Sequence, residues 1–166
     1  MFAGKTTETL KRVLWAKNGL NRSVRVLKPK FDDRYAEAEI VSHDGLRTPA
    51  ESIAALPQEI GQTDLVVLDE IQFFPTHVQG DLYGWVQDQL GRGVEVIAAG
   101  LDMDWQGKPF EGTALLMGMA DEVIKLNAHC TVCGRPARKT FKLHQCGDSV
   151  ELGASDKYES RCNTHW

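Results

Sequence analysis

Apolar residues along the chain recur with periods that predict helices and strands in alternation. Over residues 6–17, Leu10, Val13 and Leu14 fall at three- and four-residue spacing and Asn18-Gly19 follows as a stop, the pattern of an amphipathic helix. Residues 24–27 alternate apolar and charged side chains and end at Pro29, a short strand, and the polar stretch 30–39 reads as a loop. A weaker strand is expected over 39–42, and residues 49–56 read as a helix with proline in its first turn. Leu65-Val66-Val67-Leu68 is continuous and apolar, the mark of a strand covered on both faces, and it ends in Asp69-Glu70. Leu82, Trp85, Val86 and Leu90 return to helical spacing before Gly91 and Gly93, and residues 94–99 form a second buried strand. A last apolar strand is expected over 123–126. Beyond it come cysteines, glycines and short strand-like runs such as 139–143.

This order favours an α/β fold, a parallel sheet flanked by helices, in which ligands gather beyond the carboxyl ends of the strands. The expected division is residues 1–126 for the α/β domain and 127–166 for a small second unit. A length of 166 residues suits that plan, and 42% hydrophobic with 25% charged residues is an ordinary globular composition. Nineteen basic against 23 acidic side chains leave a net charge of −4, which provides no general attraction to a polyanion; nucleic acid is not an expected partner. The longest mainly apolar stretch, 94–101, is interrupted by Glu95 and falls well short of the ~20 residues that span a bilayer. No secretory pattern opens the chain, so the cytoplasm is the expected compartment.

Candidate chemistry begins at Gly4-Lys5-Thr6, which precedes a helix and matches the end of the G-x-x-x-x-G-K-[ST] phosphate loop. In that reading Lys5 reaches the nucleotide's terminal phosphates and Thr6 offers its hydroxyl to Mg2+. The pattern's first glycine and the strand that feeds the loop fall upstream of Met1, and a longer natural chain is expected to supply them. Asp69, at the end of a buried strand, is the carboxylate such a loop needs for its magnesium. Glu70 beside it would take a proton from an attacking hydroxyl or orient an attacking water, and position alone does not separate transfer from hydrolysis. A phosphate-loop ATPase with a zinc appendage therefore stands as an alternative, and an inactive truncated kinase is another.

Cys130-x-x-Cys133 and Cys162-x-x-His165 provide four zinc-type ligands in two pairs, a closed set that reads as structural rather than catalytic. Residues 134–161 between the pairs form a loop that the metal would tie down. His129 and His144 are alternative fourth ligands, and Cys146 is left over. A zinc-ribbon binding module is a third functional class, weakened by the acidic net charge.

Taken together, the run Met1 to Thr6, Phe31-Asp32-Asp33-Arg34-Tyr35, Asp69-Glu70-Ile71-Gln72-Phe73-Phe74, Lys108-Pro109-Phe110 and the stretch Val150 to Tyr158 leading into Cys162 and His165 closely resemble the cytosolic, zinc-containing thymidine kinases. That resemblance spans essentially the whole chain. It implies a phosphate-loop fold with a zinc-anchored lasso, and transfer of the γ-phosphoryl group of ATP to the 5'-hydroxyl of thymidine or deoxyuridine, giving dTMP and ADP. It also implies Mg2+ with ATP, structural Zn2+ and a homotetramer. Carried over residue by residue, Glu70 is the general base, and Met1, Phe2, Ala3, Gly4, Lys5, Thr6, Asp32, Arg34, Asp69 and Gln72 lie on the ATP and magnesium side. Phe73, Leu101, Trp105, Phe110 and Tyr158 match the nucleoside pocket, with the lasso backbone at Val150, Glu151, Leu152, Gly153 and Ala154 reading the base edge.

Overall fold

The computed structural model describes residues 2–30, 39–42, 45–143 and 157–166. Helix α1 (Lys5–Leu14) leads to strand β1 (Val24–Pro29), then β2 (Glu39–Val41), β3 (Arg47–Pro49), β4 (Glu51–Ile53) and β5 (Leu65–Leu68). Helices α2 (Phe74–His77) and α3 (Leu82–Gly91), strand β6 (Glu95–Ala98) and helix α4 (Glu111–Met119) follow. The chain ends in β7 (Ala128–His129), β8 (Pro136–Ala137), β9 (Lys139–Lys142) and β10 (Tyr158–Arg161).

Four strands form one parallel sheet in the order β4-β1-β5-β6, with Leu27, Leu68 and Ala98 in register across its centre. All four residues of β5 are buried, and the pleat divides them between two cores. Leu65 and Val67 face α1, where Leu10, Val13 and Ala16 pack, and Ile97 joins this layer. Val66 and Leu68 face Val86 of α3, Leu116 of α4 and Phe74. The continuous apolar run of β5 thus has a direct cause, since each alternate side chain meets a different helical layer. The expected α/β architecture is the observed one.

Three local expectations change. The helix expected over 49–56 is absent, because residues 51–53 complete the sheet edge instead, pairing with β1 through Leu27–Glu51 and Pro29–Ile53. Arg25 holds Glu51 there through a two-pronged ion pair, 2.8 Å from Nε and 2.5 Å from a terminal nitrogen. Residues 123–126 carry no ladder pairing among the described residues, so the strand expected there is an unpaired segment. Helix α4 was not anticipated: its two glycines break the apolar period, yet Gly112 is what lets it approach Pro75, which a Cβ would meet at 2.7 Å. The first helix begins at Lys5 and continues past Leu14 as a wide π-helical turn through Gly19.

In the last quarter of the chain, β7 with β8 and β9 with β10 form two antiparallel ribbons. No helix of the described residues is long and apolar enough to cross a membrane.

Candidate functional site

The carboxyl ends of β1, β5 and β6 lie side by side, and the candidate residues cluster there. Asp69 follows β5 directly, is buried, and donates its backbone N–H to Leu27 O at 2.9 Å, which fixes it against β1. Glu70 stands in the left-handed region (φ 57°, ψ 45°), a costly conformation for a residue with a side chain. This sharp turn ends the strand and starts the helical turn that carries Gln72 and Phe73.

Gln72 is the hub of the site. Its side-chain amide donates to the Glu70 carboxylate, while its Oε1 accepts the Leu101 N–H at 2.9 Å. Leu101 O in turn accepts the Thr113 hydroxyl at 2.7 Å. Hydrogen bonds thus run from the carboxylate through the end of β6 to α4. Gly100 allows this closeness: a Cβ there would stand 2.6 Å from Gln72 Oε1, 2.6 Å from Ile71 Cγ1 and 3.1 Å from the Ile71 nitrogen.

Gly4 precedes α1 in the left-handed region (φ 73°), and its carbonyl accepts the Glu8 N–H at 3.0 Å. Thr6, one residue into the helix, shares a cleft of about 10 Å³ with Asp69, Glu70 and Lys28. Lys5 and Ala3 instead line a larger cavity on the β6 side, and Phe2 is exposed. Lys28 was missed by sequence reasoning. Only 3% exposed, its ammonium donates to Glu39 O at 3.0 Å. The available signal was a lysine directly after the apolar pair Val26-Leu27, one residue before Pro29.

The aromatic candidates line neither of these cavities. Phe73 is buried and stacks edge-on against His77 with ring centres 5.9 Å apart. Trp105 rides on a turn closed by Asp104, whose Oδ1 accepts the Gln106 and Lys108 N–H groups at 2.9 and 2.8 Å. Its buried indole N–H has no acceptor among the described residues, and the Lys142 ammonium lies 5.5 Å from its ring. Phe110 caps α4, its N–H donating to Asp102 O at 3.0 Å, and Tyr158 is buried opposite Lys142 in the β9–β10 ribbon. Met1, Asp32, Arg34, Val150, Glu151, Leu152, Gly153 and Ala154 lie outside the described residues, as do His144 and Cys146.

Cys130, Cys133, Cys162 and His165 converge, with all four ligand atoms within 4.8 Å of one another. The Cys133–Cys162 sulfur separation is 3.8 Å, far beyond a disulfide and equal to the edge of a tetrahedron with Zn–S bonds of about 2.3 Å. His165 Nδ1 stands 3.3 Å from Cys162 Sγ and 3.7 Å from Cys130 Sγ, as a fourth corner would. Burial opposes the Cys130 thiolate, but N–H groups of Cys162, Val132 and Cys133 and the His165 ring outweigh it and bring the thiol down to about 5. His129 turns its Nδ1 to Gly134 O at 3.1 Å and is not among the four. The donor set fits zinc.

The thymidine kinase family model matches residues 1–166. The chain belongs to the thymidine kinase family. A thymidine kinase of Pyrobaculum aerophilum is 37% identical to it over 179 aligned positions, covering 100% of this chain and 94% of that protein. As a family member the chain is a kinase.

Proposed function

We propose that this kinase transfers the γ-phosphoryl group of ATP to the 5'-hydroxyl of thymidine or deoxyuridine, giving dTMP or dUMP with ADP, for salvage of DNA precursors. The observation that carries the reading is the Asp69-Glu70 pair at the end of the buried strand, sharing a cleft with Thr6 while Gln72 holds Glu70. Family membership supports the substrate class.

Phosphoryl transfer asks for positioning and charge neutralisation more than covalent catalysis. In this reading Glu70 accepts the proton of the 5'-hydroxyl as its oxygen bonds to the γ-phosphorus and the bond to the β-phosphate oxygen breaks, leaving ADP. Gln72 keeps Glu70 aimed, and Lys5 and Gly4 meet phosphate charge at the start of α1. Thr6 and Asp69 are the residues that would hold Mg2+, which neutralises phosphate charge when bound. Arg34 and Asp32 serve the same nucleotide side. Phe73, Leu101, Trp105, Phe110 and Tyr158 enclose the nucleoside, with Val150, Glu151, Leu152, Gly153 and Ala154 reading the pyrimidine edge. The two pairs of zinc ligands anchor that stretch. A division at residue 127, a homotetramer and a cytoplasmic location complete the proposal.

The test is ADP release with and without thymidine. Dependence on the nucleoside is expected, whereas a phosphate-loop ATPase would release ADP without it. Glu70→Gln should lower turnover at least ~100-fold with nucleotide binding retained; unchanged turnover would refute the role of Glu70.

A further inference from the structure

The turn that carries Trp105 is held from outside itself. Within it, Asp104 Oδ1 accepts the Gln106 and Lys108 N–H groups, Gly107 N–H donates to Asp104 O at 3.1 Å, and Met103 pairs with Pro109 across the base. These bonds close the loop, but they do not fix where it stands in the molecule. Contacts from the last quarter of the chain do. The Trp166 ring lies against Gly107, where an added Cβ would meet its Cη2 at 2.9 Å and its Cζ2 at 3.3 Å. Gly107 is in the left-handed region (φ 79°), so one residue supplies both the sharp step of the turn and the bare surface that receives the ring. The ring is itself fixed on β9: its N–H donates to Thr140 O at 3.0 Å, and the Lys139 ammonium lies 4.3 Å from its centre. Three residues further along β9, the ammonium of buried Lys142 lies 5.5 Å from the centre of the Trp105 ring.

Trp166 directly follows His165, one corner of the Cys-His cluster, whose N–H donates to Cys162 O at 3.1 Å. A ring kept only for core packing would be buried. This one stays 43% exposed, yet a hydrogen bond, a cation and a glycine surface all direct it at one turn. We propose that Trp166 is a positioning residue for the nucleoside pocket: it wedges the 104–108 turn so that Trp105 stands where a flat pyrimidine meets it. The inference rests on the assignment of Trp105 to that pocket in the proposed function. The metal corner then sets the place of Trp105 through a single ring, besides anchoring the segment between the two ligand pairs. Trp105 would meet the base rather than the reacting atoms, so a turn that wanders loses thymidine affinity and leaves ATP affinity alone.

The experiment compares zinc-loaded parent, Trp166→Ala and Trp166→Phe, with zinc content measured in each. Without nucleoside, amide exchange at Gln106, Gly107 and Lys108 should quicken by about 10-fold or more in Trp166→Ala at unchanged zinc content. Trp166→Phe, which keeps an aromatic ring but not the bond to Thr140, should recover part of the protection. Thymidine Kd, by calorimetry, should rise by about 10-fold in Trp166→Ala with the ATP Kd unchanged, and Trp166→Phe should fall between. Parent-like exchange in Trp166→Ala overturns the proposal, and so does faster exchange with no change in thymidine affinity. Should Trp166→Ala lose its zinc or fail to fold, Gly107→Ala displaces the ring from the turn side without touching the knuckle; parent-like exchange there overturns the proposal equally. A parent that binds no thymidine would overturn the nucleoside assignment and with it the pocket role of Trp166, whereas the exchange data judge the wedge without any substrate.

Discussion

Gly100→Ala tests whether the site is held by close packing at the end of β6. The added Cβ would lie 2.6 Å from both Gln72 Oε1 and Ile71 Cγ1, and 3.1 Å from the Ile71 backbone nitrogen. Side chains can swing away, but the Ile71 nitrogen donates to Ala99 O at 3.0 Å and cannot leave without opening the turn. Overpacking of this kind costs about 1–3 kcal/mol, and losing the Gln72–Leu101 hydrogen bond adds about 1 kcal/mol. At roughly 2–4 °C per kcal/mol for a chain of this size, Tm should fall by roughly 5–15 °C. Because the atom displaced first belongs to Gln72, which holds Glu70, thymidine-dependent ADP release should also fall by about 10-fold or more in kcat, with a smaller change in KM. A double-mutant cycle with Gln72→Ala separates the routes, since a clash that acts through Gln72 makes the two losses overlap rather than add. Full additivity, or a Tm within 1–2 °C of the parent, about the scatter of surface substitutions, would refute the reasoning.

Zinc removal should release more than the four ligands. Trp166 follows His165, donates its indole N–H to Thr140 O at 3.0 Å and packs against Gly107, two residues from Trp105. Chelation, or His165→Ala, should therefore raise the thymidine KM and expose the Trp105 turn to proteolysis, because structural zinc contributes on the order of 10 kcal/mol to ordering such units; an unchanged KM and cleavage pattern would refute the tether. The Arg25–Glu51 pair carries a pH signature: the hydrogen bond from Arg25 holds the Glu51 carboxyl below its ordinary 4.5. A depressed carboxyl stabilises the fold above its unfolded value, and this contribution disappears as pH falls through the lower folded value. Arg25→Gln should thus lower the denaturation midpoint at pH 7 and leave it nearly unchanged at pH 2, and an equal loss at both would count against the pair.

Much of the plan was legible because burial leaves a period. β5 reads as a strand without any neighbour, since four consecutive apolar residues serve two different helical layers. The Cys3His cluster that could hold a metal was legible from spacing, because two knuckle turns bring Cys130, Cys133, Cys162 and His165 together locally. What was not legible depended on partners distant in sequence. Proline ahead of Glu51 looked like a helix start, but pairing with β1 and the Arg25 contact, 26 residues away, decided for a strand. Lys28 gave little warning, because its burial depends on partners such as the Glu39 carbonyl, 11 residues on, and on the cleft it borders. Trp166, although 43% exposed, ties the metal knuckle to the turn bearing Trp105 through contacts that no local pattern announces.

The same dependence on distant partners sets how stability and chemistry are joined here. Glu70 sits in the costly left-handed region, and the local bonds to it, from Gln72 and Phe73, depend in turn on partners beyond its own turn. Its conformation persists because Asp69 is bonded to β1, and Ile71 and Gln72 to Ala99 and Leu101 in the segment after β6, so three hydrogen bonds to two neighbouring strand ends over-determine one turn. If Glu70 is the base proposed above, a carboxylate held this way needs little rearrangement when a hydroxyl arrives, which is where a positioned group gains over one in solution. The cost is that loosening any strand end loosens the base. The segment that leaves β6 supplies both Ala99 and Leu101 to that turn, so a change that loosens the end of β6 should reach Glu70 through Ile71 and Gln72.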